Sequence, residues 1–251
     1  MKNIFTDFRS AVLFITILPA GKNVAYSPMG MIRFFPVVGL ILGAGLVLFD
    51  VIVSSLWSPG VAAVLDVIFL VIVTGAFHLD GLGDTADGLF SHRSKSRALE
   101  IMKDSRTGMM GLVAVVCILA VKAAGIYSIK TGETLFNTLL LFLIVPAYSR
   151  AAMIFGIKFL NYGRDKVGTG LDLFKKDIAI KDFGFFLIPI LMSPFLGYKA
   201  LILNCIFLVT LCLVLGFYKK KLNCITGDML GALNEIMEAV LFLAAGALIL
   251  P

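Results

Sequence analysis

The chain has 251 residues, of which 59% are hydrophobic and 15% are charged, and its formal net charge is +6. A soluble domain has roughly 45–50% apolar and about 25% charged residues, so this composition excludes an ordinary soluble enzyme and a disordered chain. It favours an all-α, polytopic integral membrane protein that forms a single domain over 1–251. The positive charge fits basic loops beside a membrane, and we expect no nucleic-acid partner.

The N-terminal region predicts an amphipathic helix that lies at the membrane interface. Apolar residues recur at helical spacing between Phe5 and Ile15. The apolar run 11–18 is too short to cross a bilayer, which takes about 20 residues, and Pro19 follows it. We therefore expect a helix that lies in the interface and is retained in the protein.

Seven longer apolar segments predict the membrane spans. The fifth is short and contains Pro189 and Pro194, so it is either kinked or only partly crossing. Segments five and six can also form one tight hairpin, which makes the expected count six to seven. The approximate limits are 34–56, 61–80, 108–127, 135–156, 183–198, 200–217 and 229–250.

The distribution of Lys and Arg predicts the orientation. Eighteen of them fall in the N-terminal region and in loops 81–107, 157–182 and 218–228, whereas the opposite side carries Lys130 and Lys199. Basic loops stay in the cytoplasm, so we expect a cytoplasmic N-terminus. Most acidic residues near the span ends lie on the same side, so we expect the functional site on the cytoplasmic side.

An aspartate-rich stretch follows the second predicted span. Asp80, Asp84 and Asp87 are spaced i, i+4 and i+7, so a helix presents them on one face, where they repel one another unless a cation intervenes. Carboxylates without neighbouring cysteines favour Mg²⁺ or Mn²⁺. The interspersed glycines suit an opened helix that a ligand approaches closely. The alternative is a solvated loop or a helix cap.

A basic stretch precedes the third predicted span. Lys103 and Arg106, together with the backbone N–H groups at the start of that span, can bind an anion. The alternative is a positively charged membrane anchor whose helix is capped by Asp104 or Ser105.

Other polar residues lie within the predicted spans. Asn234 and Glu235 belong to a polar stripe on the last span, which is unusual for a helix that faces lipid only. Arg150 in span four is either an internal counter-charge, a phosphate ligand or a residue that extends to the interface. His78 is either a general base or a hydrogen-bonded interfacial histidine.

Together these stretches resemble the cobalamin synthase family, the adenosylcobinamide-GDP ribazoletransferases. The resemblance rests on GAFHLDGLGDTADGLF at 75–90, IMKDSRTGMMG at 101–111 and TGDMLGALNE at 226–235. It extends more loosely to FITILPA at 14–20 and FFPVVGLILG at 34–43. It therefore runs along nearly the whole chain.

The resemblance implies an enzyme of the cytoplasmic membrane that joins adenosylcobinamide-GDP to α-ribazole, or its 5′-phosphate, and releases GMP. It implies a Mg²⁺ requirement, with the ion held by Asp80, Asp84 and Asp87 and further by Asp104 and Asp228. One of these carboxylates, or His78, would accept the proton of the attacking hydroxyl. The expected substrate-binding residues are Lys103, Ser105, Arg106, Arg150, Asn234 and Glu235.

The expected partners are the corrinoid nucleotide, α-ribazole and the lipid membrane. A homo-oligomer and an association with other cobalamin-pathway enzymes are both left open. Two other functions are alternatives: a CDP-alcohol phosphotransferase, whose Asp-x-x-Asp-Gly pattern begins like 84–88, and an ion-coupled transporter.

Overall fold

A computed structural model describes residues 4–104, 106–164, 170–175 and 177–247. Within these ranges the chain is helical, and one isolated bridge pairs Tyr162 with Ile225. The α-helices are α1 Ile4–Ile15, α2 Pro28–Met31, α3 Phe35–Leu56, α4 Pro59–Val73, α5 Phe77–Leu89, α6 Lys95–Ile101, α7 Met109–Gly132, α8 Leu135–Phe159, α9 Leu187–Met192, α10 Lys199–Lys221 and α11 Gly227–Ala247.

The long apolar helices confirm an all-α polytopic membrane protein. Among the described residues, five helical stretches are long and apolar enough to span a bilayer: Pro28–Leu56, α7, α8, α10 and α11. A sixth is formed by α4 and α5 if this pair, bent by 91°, counts as one span. The total number of crossings and the orientation of the N-terminus stay predictions.

The second predicted span, 61–80, is wrong as a single helix, because α4 ends at Val73. The N–H of Gly75 binds the carbonyl of Ile72 at 2.9 Å, and the N–H of Ala76 binds that of Val71 at 2.9 Å. This is a Schellman motif with Gly75 in the left-handed region at φ +60°. The chain then turns sharply and begins α5, which carries the aspartates.

The fifth predicted span, 183–198, is not a long helix. It consists of 3-10 turns at Ile180–Phe186 and Ser193–Leu196 on either side of the short α9. Lys199, at the start of α10, pairs with Glu133, just after the end of α7. The preceding segment therefore runs from the end of the bundle at which α8 finishes to the opposite end. Its 17 residues can rise about 30 Å, enough to cross the hydrocarbon core.

The N-terminal helix is confirmed as α1, and one of its faces is packed against the start of the first long span. The carboxylate of Asp7 is buried and accepts hydrogen bonds from Arg33 at 2.7 Å and from the hydroxyl of Ser27 at 2.5 Å. Phe5 and Leu13 are exposed. The position of α1 at a membrane interface stays a prediction.

Helices α8 and α11 form the centre of the bundle, and glycines bring their neighbours close to them. A Cβ added at Gly39 of α3 would lie 2.5 Å from the Cα of Ala147, and one added at Gly43 would lie 2.8 Å from the Cα of Leu143. Gly125 of α7 lies equally close to the backbone of α11. Small residues let membrane helices pack backbone against backbone, which maximises dispersion contacts where lipid offers no hydrophobic drive.

Four buried charges join α7, α8 and α11. Lys122 donates to Glu235 at 2.6 Å and to Glu238 at 2.7 Å. Arg150 also pairs with Glu238. Each of the four side chains is at most 4% exposed. Two cations therefore balance two anions inside the bundle, where an unpaired charge would cost several kcal/mol.

A second group of buried charges lies near the end of the bundle at which α7 finishes. Lys130 of α7 pairs with Asp50 of α3 and, at 3.1 Å, with Asp66 of α4. The amine also donates to the hydroxyl of Ser54 at 2.7 Å. This group ties together α3, α4 and α7.

We expect Glu238→Gln to destabilise the folded protein by about 3–5 kcal/mol, because it leaves Arg150 and Lys122 with one carboxylate between them. The matched control is Glu100→Gln, which removes an exposed ion pair with Arg97 worth about 0–1 kcal/mol. The apparent melting temperatures of the two variants and of the native protein, measured in the same detergent, compare the two losses of stability. Equal melting temperatures for the two variants would contradict the importance of the buried group.

Candidate active site

A small cavity opens where α5, the start of α11 and the segment around Tyr162 meet. Its volume is about 110 Å³. Pockets for drug-sized molecules measure about 300–1,000 Å³, so this cavity suits a phosphate group and not a whole nucleotide or macrocycle. Its polar lining consists of His78, Asp80, Tyr162, Arg164 and Asp228.

Helix α5 carries the three aspartates of the sequence motif. The expectation of an opened helix is wrong, since Phe77–Leu89 is a regular α-helix that includes three glycines. Gly81 instead permits a close contact with α11: an added Cβ would lie 2.7 Å from the carbonyl oxygen of Asp228. This contact brings Asp80 and Asp228 to the same cavity.

Asp87 binds the start of α7. Its carboxylate accepts hydrogen bonds from the N–H of Gly108 at 2.6 Å and from the N–H of Gly111 at 2.8 Å. The anion site expected at this helix start is therefore filled by a side chain of the protein itself. An acceptor at that position satisfies otherwise unpaired donors and complements the positive end of the helix dipole.

Arg164, in the basic loop 157–182, was not among the expected substrate-binding residues, and the structure brings it to the cavity. Its guanidinium pairs with Asp228 and donates to the carbonyl of Met102 at 3.2 Å. The backbone is held beside α11 by a bond from Gly163 N–H to the carbonyl of Ile225, at 2.9 Å. The Tyr-Gly-Arg sequence within a basic loop was the available signal.

Tyr162 adds a neutral donor to the same cavity. Partial burial raises the pKa of its phenol above the ordinary value, so the hydroxyl stays protonated at neutral pH. A protonated phenol and a guanidinium are both suited to binding phosphate oxygens.

Asp80 and Asp228 line the cavity, whereas Asp84, one turn after Asp80 on α5, is not part of its lining. Asp84 lies in the field of Asp80, Asp228 and Asp87, all of like charge, and of Arg164. Within the part of the chain that the structure describes, no three Asp, Glu, His or Cys side chains converge on one point as a metal cage would require. Mg²⁺ is commonly held by one or two carboxylates plus substrate phosphates, and the oxygen donors of this cavity fit that mode.

Lys103 and Arg106 are exposed, and neither they nor Asp104 line the cavity. Arg106 donates to Asp104 at 2.5 Å, and this hydrogen bond lowers the pKa of the Asp104 carboxyl to about 2. The structure therefore pairs Asp104 with its own neighbour and does not bring it to Asp80 or Asp228. Ser105 lies outside the described residues.

Arg150, Asn234 and Glu235 lie behind the cavity and not in its lining. The expectation that Arg150 binds phosphate needs correction, because its side chain is 1% exposed and its charge is matched by Glu238. Glu235 is similarly paired with Lys122. Asn234 reaches the cavity indirectly, since its amide nitrogen lies 3.1 Å from Nδ1 of His78.

Comparison with known proteins covers nearly the whole chain. The family described as cobalamin-5-phosphate synthase matches residues 7–246. A protein of Alkaliphilus metalliredigens named adenosylcobinamide-GDP ribazoletransferase is 37% identical over 239 residues, which cover 92% of this chain and 91% of the relative. Proteins with the same name from Caldanaerobacter subterraneus subsp. tengcongensis and from Clostridium botulinum strain Okra are 32% and 34% identical.

The alignments with these last two relatives cover 93% and 97% of this chain, and 94% and 98% of the relatives. No solved structure shows a significant match. The family match spans both the aspartate-bearing helix and the helix that completes the cavity with Asp228. The chain therefore belongs to the cobalamin-5-phosphate synthase family.

Proposed function

We propose that this protein is an adenosylcobinamide-GDP ribazoletransferase of cobalamin synthesis. The observation that carries the proposal is the family match over residues 7–246, supported by relatives of that name that align along more than nine-tenths of the chain. The cavity adds independent chemical support, because it combines carboxylates with a guanidinium and a phenol.

In the proposed reaction, a free ribose hydroxyl of α-ribazole, or of its 5′-phosphate, attacks the phosphorus on the cobinamide side of the pyrophosphate. A new P–O bond forms, the bond to the GMP oxygen breaks, and a carboxylate of the cavity takes up the hydroxyl proton. Arg164 and Tyr162 hold phosphate oxygens. The cavity admits only the reacting phosphate, so the corrinoid and the bases stay outside it.

We propose that one or two of Asp80, Asp84 and Asp228, together with substrate phosphates, would hold Mg²⁺. The ion would neutralise charge on the pyrophosphate and on the leaving phosphate. These aspartates would orient the ion, and Arg164 would exchange part of its contact with Asp228 for substrate oxygens. Asp87 contributes chiefly by holding α7 in place. Lys103 and Arg106, which are exposed, attract the anionic substrate toward the cavity.

Purified membranes that carry the protein should convert adenosylcobinamide-GDP and α-ribazole into equal amounts of cobalamin product and GMP. We expect EDTA to abolish the reaction and added Mg²⁺ to restore it. Asp84→Asn should lower kcat by about 10²–10⁴-fold, because it removes a charge that orients the ion or takes up the proton.

The matched control is Asp177→Asn, the same change at an exposed aspartate outside the cavity. It should leave turnover near the native value. Undiminished Mg²⁺-dependent turnover by Asp84→Asn would overturn the metal assignment, and absence of both products with folded native protein would overturn the transferase.

The cavity is proposed to face the cytoplasm from the inner membrane, because the basic loops lie at its end of the bundle. In a background that lacks the four native cysteines, single cysteines introduced by Ser96→Cys, at the start of α6, and by Ser58→Cys, just before α4 at the opposite end, test this. A membrane-impermeant maleimide should label the Ser58 variant in intact cells and the Ser96 variant only after lysis. The reverse pattern would contradict the orientation. The oligomeric state and any association with pathway enzymes stay predictions.

A further inference from the structure

A line of buried hydrogen bonds runs from the charged interior to the cavity. Lys122 donates to one oxygen of Glu235 at 2.6 Å, and the amide nitrogen of Asn234 donates to the other at 3.2 Å. The same amide nitrogen lies 3.1 Å from Nδ1 of His78. All four residues are at most 3% exposed. The far ring nitrogen, Nε2, has no hydrogen-bond partner among the described residues.

This line determines which nitrogen of His78 carries the proton. A carboxylate paired with an ammonium only accepts hydrogen bonds, so the Asn234 atom that faces Glu235 must be the NH₂ group. That NH₂ group also faces Nδ1 of His78, which must therefore accept. A neutral imidazole with Nδ1 as acceptor carries its proton on Nε2.

Packing fixes the position of the ring as well as its hydrogen bonds. His78 is the second residue of α5, directly after the turn in which Ala76 adopts the left-handed conformation at φ +56°. A Cβ added at Gly231 of α11 would lie 3.2 Å from the Cα of His78. The two helices are thus in direct backbone contact at the histidine, and its side chain is buried.

We propose that His78 presents a fixed N–H donor, from Nε2, to a phosphoryl oxygen of the substrate, and that Asn234, Glu235 and Lys122 are positioning residues for it. This inference rests on the proposed function, which supplies the phosphate ligand. His78 lines the cavity together with Asp80 and Asp228, and Nε2 is its ring nitrogen without a partner among the described residues, so we assign this nitrogen to a phosphate bound there.

The same tautomer excludes two other roles for His78. A protonated Nε2 has no lone pair in the ring plane, so it neither accepts the proton of the ribazole hydroxyl nor binds Mg²⁺. That proton must pass to a carboxylate of the cavity. His78 keeps its own proton throughout and stabilises charge on the phosphoryl oxygens as the P–O bond to GMP breaks.

Nitrogen NMR tests the tautomer directly. The chain has two histidines, and His92→Asn leaves His78 as the only one. Asparagine tolerates the left-handed backbone of position 92, where φ is +54°. In [¹⁵N]histidine-labelled protein in lipid bilayers, we expect a protonated Nε2 and an unprotonated Nδ1. A proton on Nδ1 in this protein would overturn the proposal.

The variant Asn234→Asp supplies the matched change. It replaces the amide by a carboxylate, which attracts a proton to Nδ1, so the Nδ1 resonance should change to that of a protonated nitrogen. An unchanged Nδ1 resonance would show that Asn234 does not set the tautomer. These readouts need no turnover, so they hold or fail independently of the proposed function.

Kinetics tests the role of the donor. We expect His78→Ala to lower kcat by about 10²–10³-fold, the usual cost of removing one preorganised donor to a developing oxyanion, with little change in KM. His78→Gln, which retains an N–H donor, should recover part of the loss, and Asn234→Asp should lower kcat although it leaves His78 in place. Unchanged kcat in His78→Ala, with native protein active, would overturn the proposal. An inactive native protein would instead overturn the proposed function, and the NMR result would then stand alone.

Discussion

Two cations and two anions share the interior of this helix bundle, and the arrangement of its central spans follows from the need to keep them together. Lys122 and Arg150 come from α7 and α8, and their carboxylate partners both come from α11. Separating any one of these helices would expose an unpaired charge to hydrocarbon. The group therefore fixes how the three helices are rotated and shifted relative to one another. Glycine contacts alone would constrain these positions less.

Helix α11 transmits that constraint to the cavity. Asp228 lies at its start and Glu235 two turns later, about 10 Å along the axis. A helix anchored by buried ion pairs in its middle presents its first turn at a fixed height and rotation. The cavity carboxylate, the contact with Gly81 and the hydrogen bond to His78 all depend on that rotation.

Local pattern predicted the elements whose signal lies within one stretch of chain. The long spans, the shared face of Asp80 and Asp84 and the polar stripe of the last span were all readable from spacing. The partners of that stripe were not, because Lys122 lies 113 residues before Glu235 and nothing local distinguishes it from a lysine that faces an interface. Arg164 was hidden for the same reason, since only the folded chain brings it to Asp228.

The end of α4 was missed for a different reason. Hydropathy averages over a window, whereas the break depends on two residues, Gly75 and Ala76, that adopt the left-handed backbone conformation. The glycines of α5 were misjudged because the missing side chain that lowers their helix propensity also permits a close helix–helix contact. The sequence alone does not distinguish an opened helix from a helix in close contact with a neighbour, and the tertiary contacts show the second.

The early end of α4 has a consequence for the surrounding lipid. Its 15 residues rise about 22 Å, which is several ångströms less than a hydrocarbon core of about 30 Å. Hydrophobic mismatch of this size is relieved when the bilayer thins around the short helix. Because α5 continues from that helix and carries the aspartates, the headgroup region and its water would dip toward the cavity. A large, highly charged substrate could then deliver its phosphates to a membrane-embedded protein without leaving the aqueous phase.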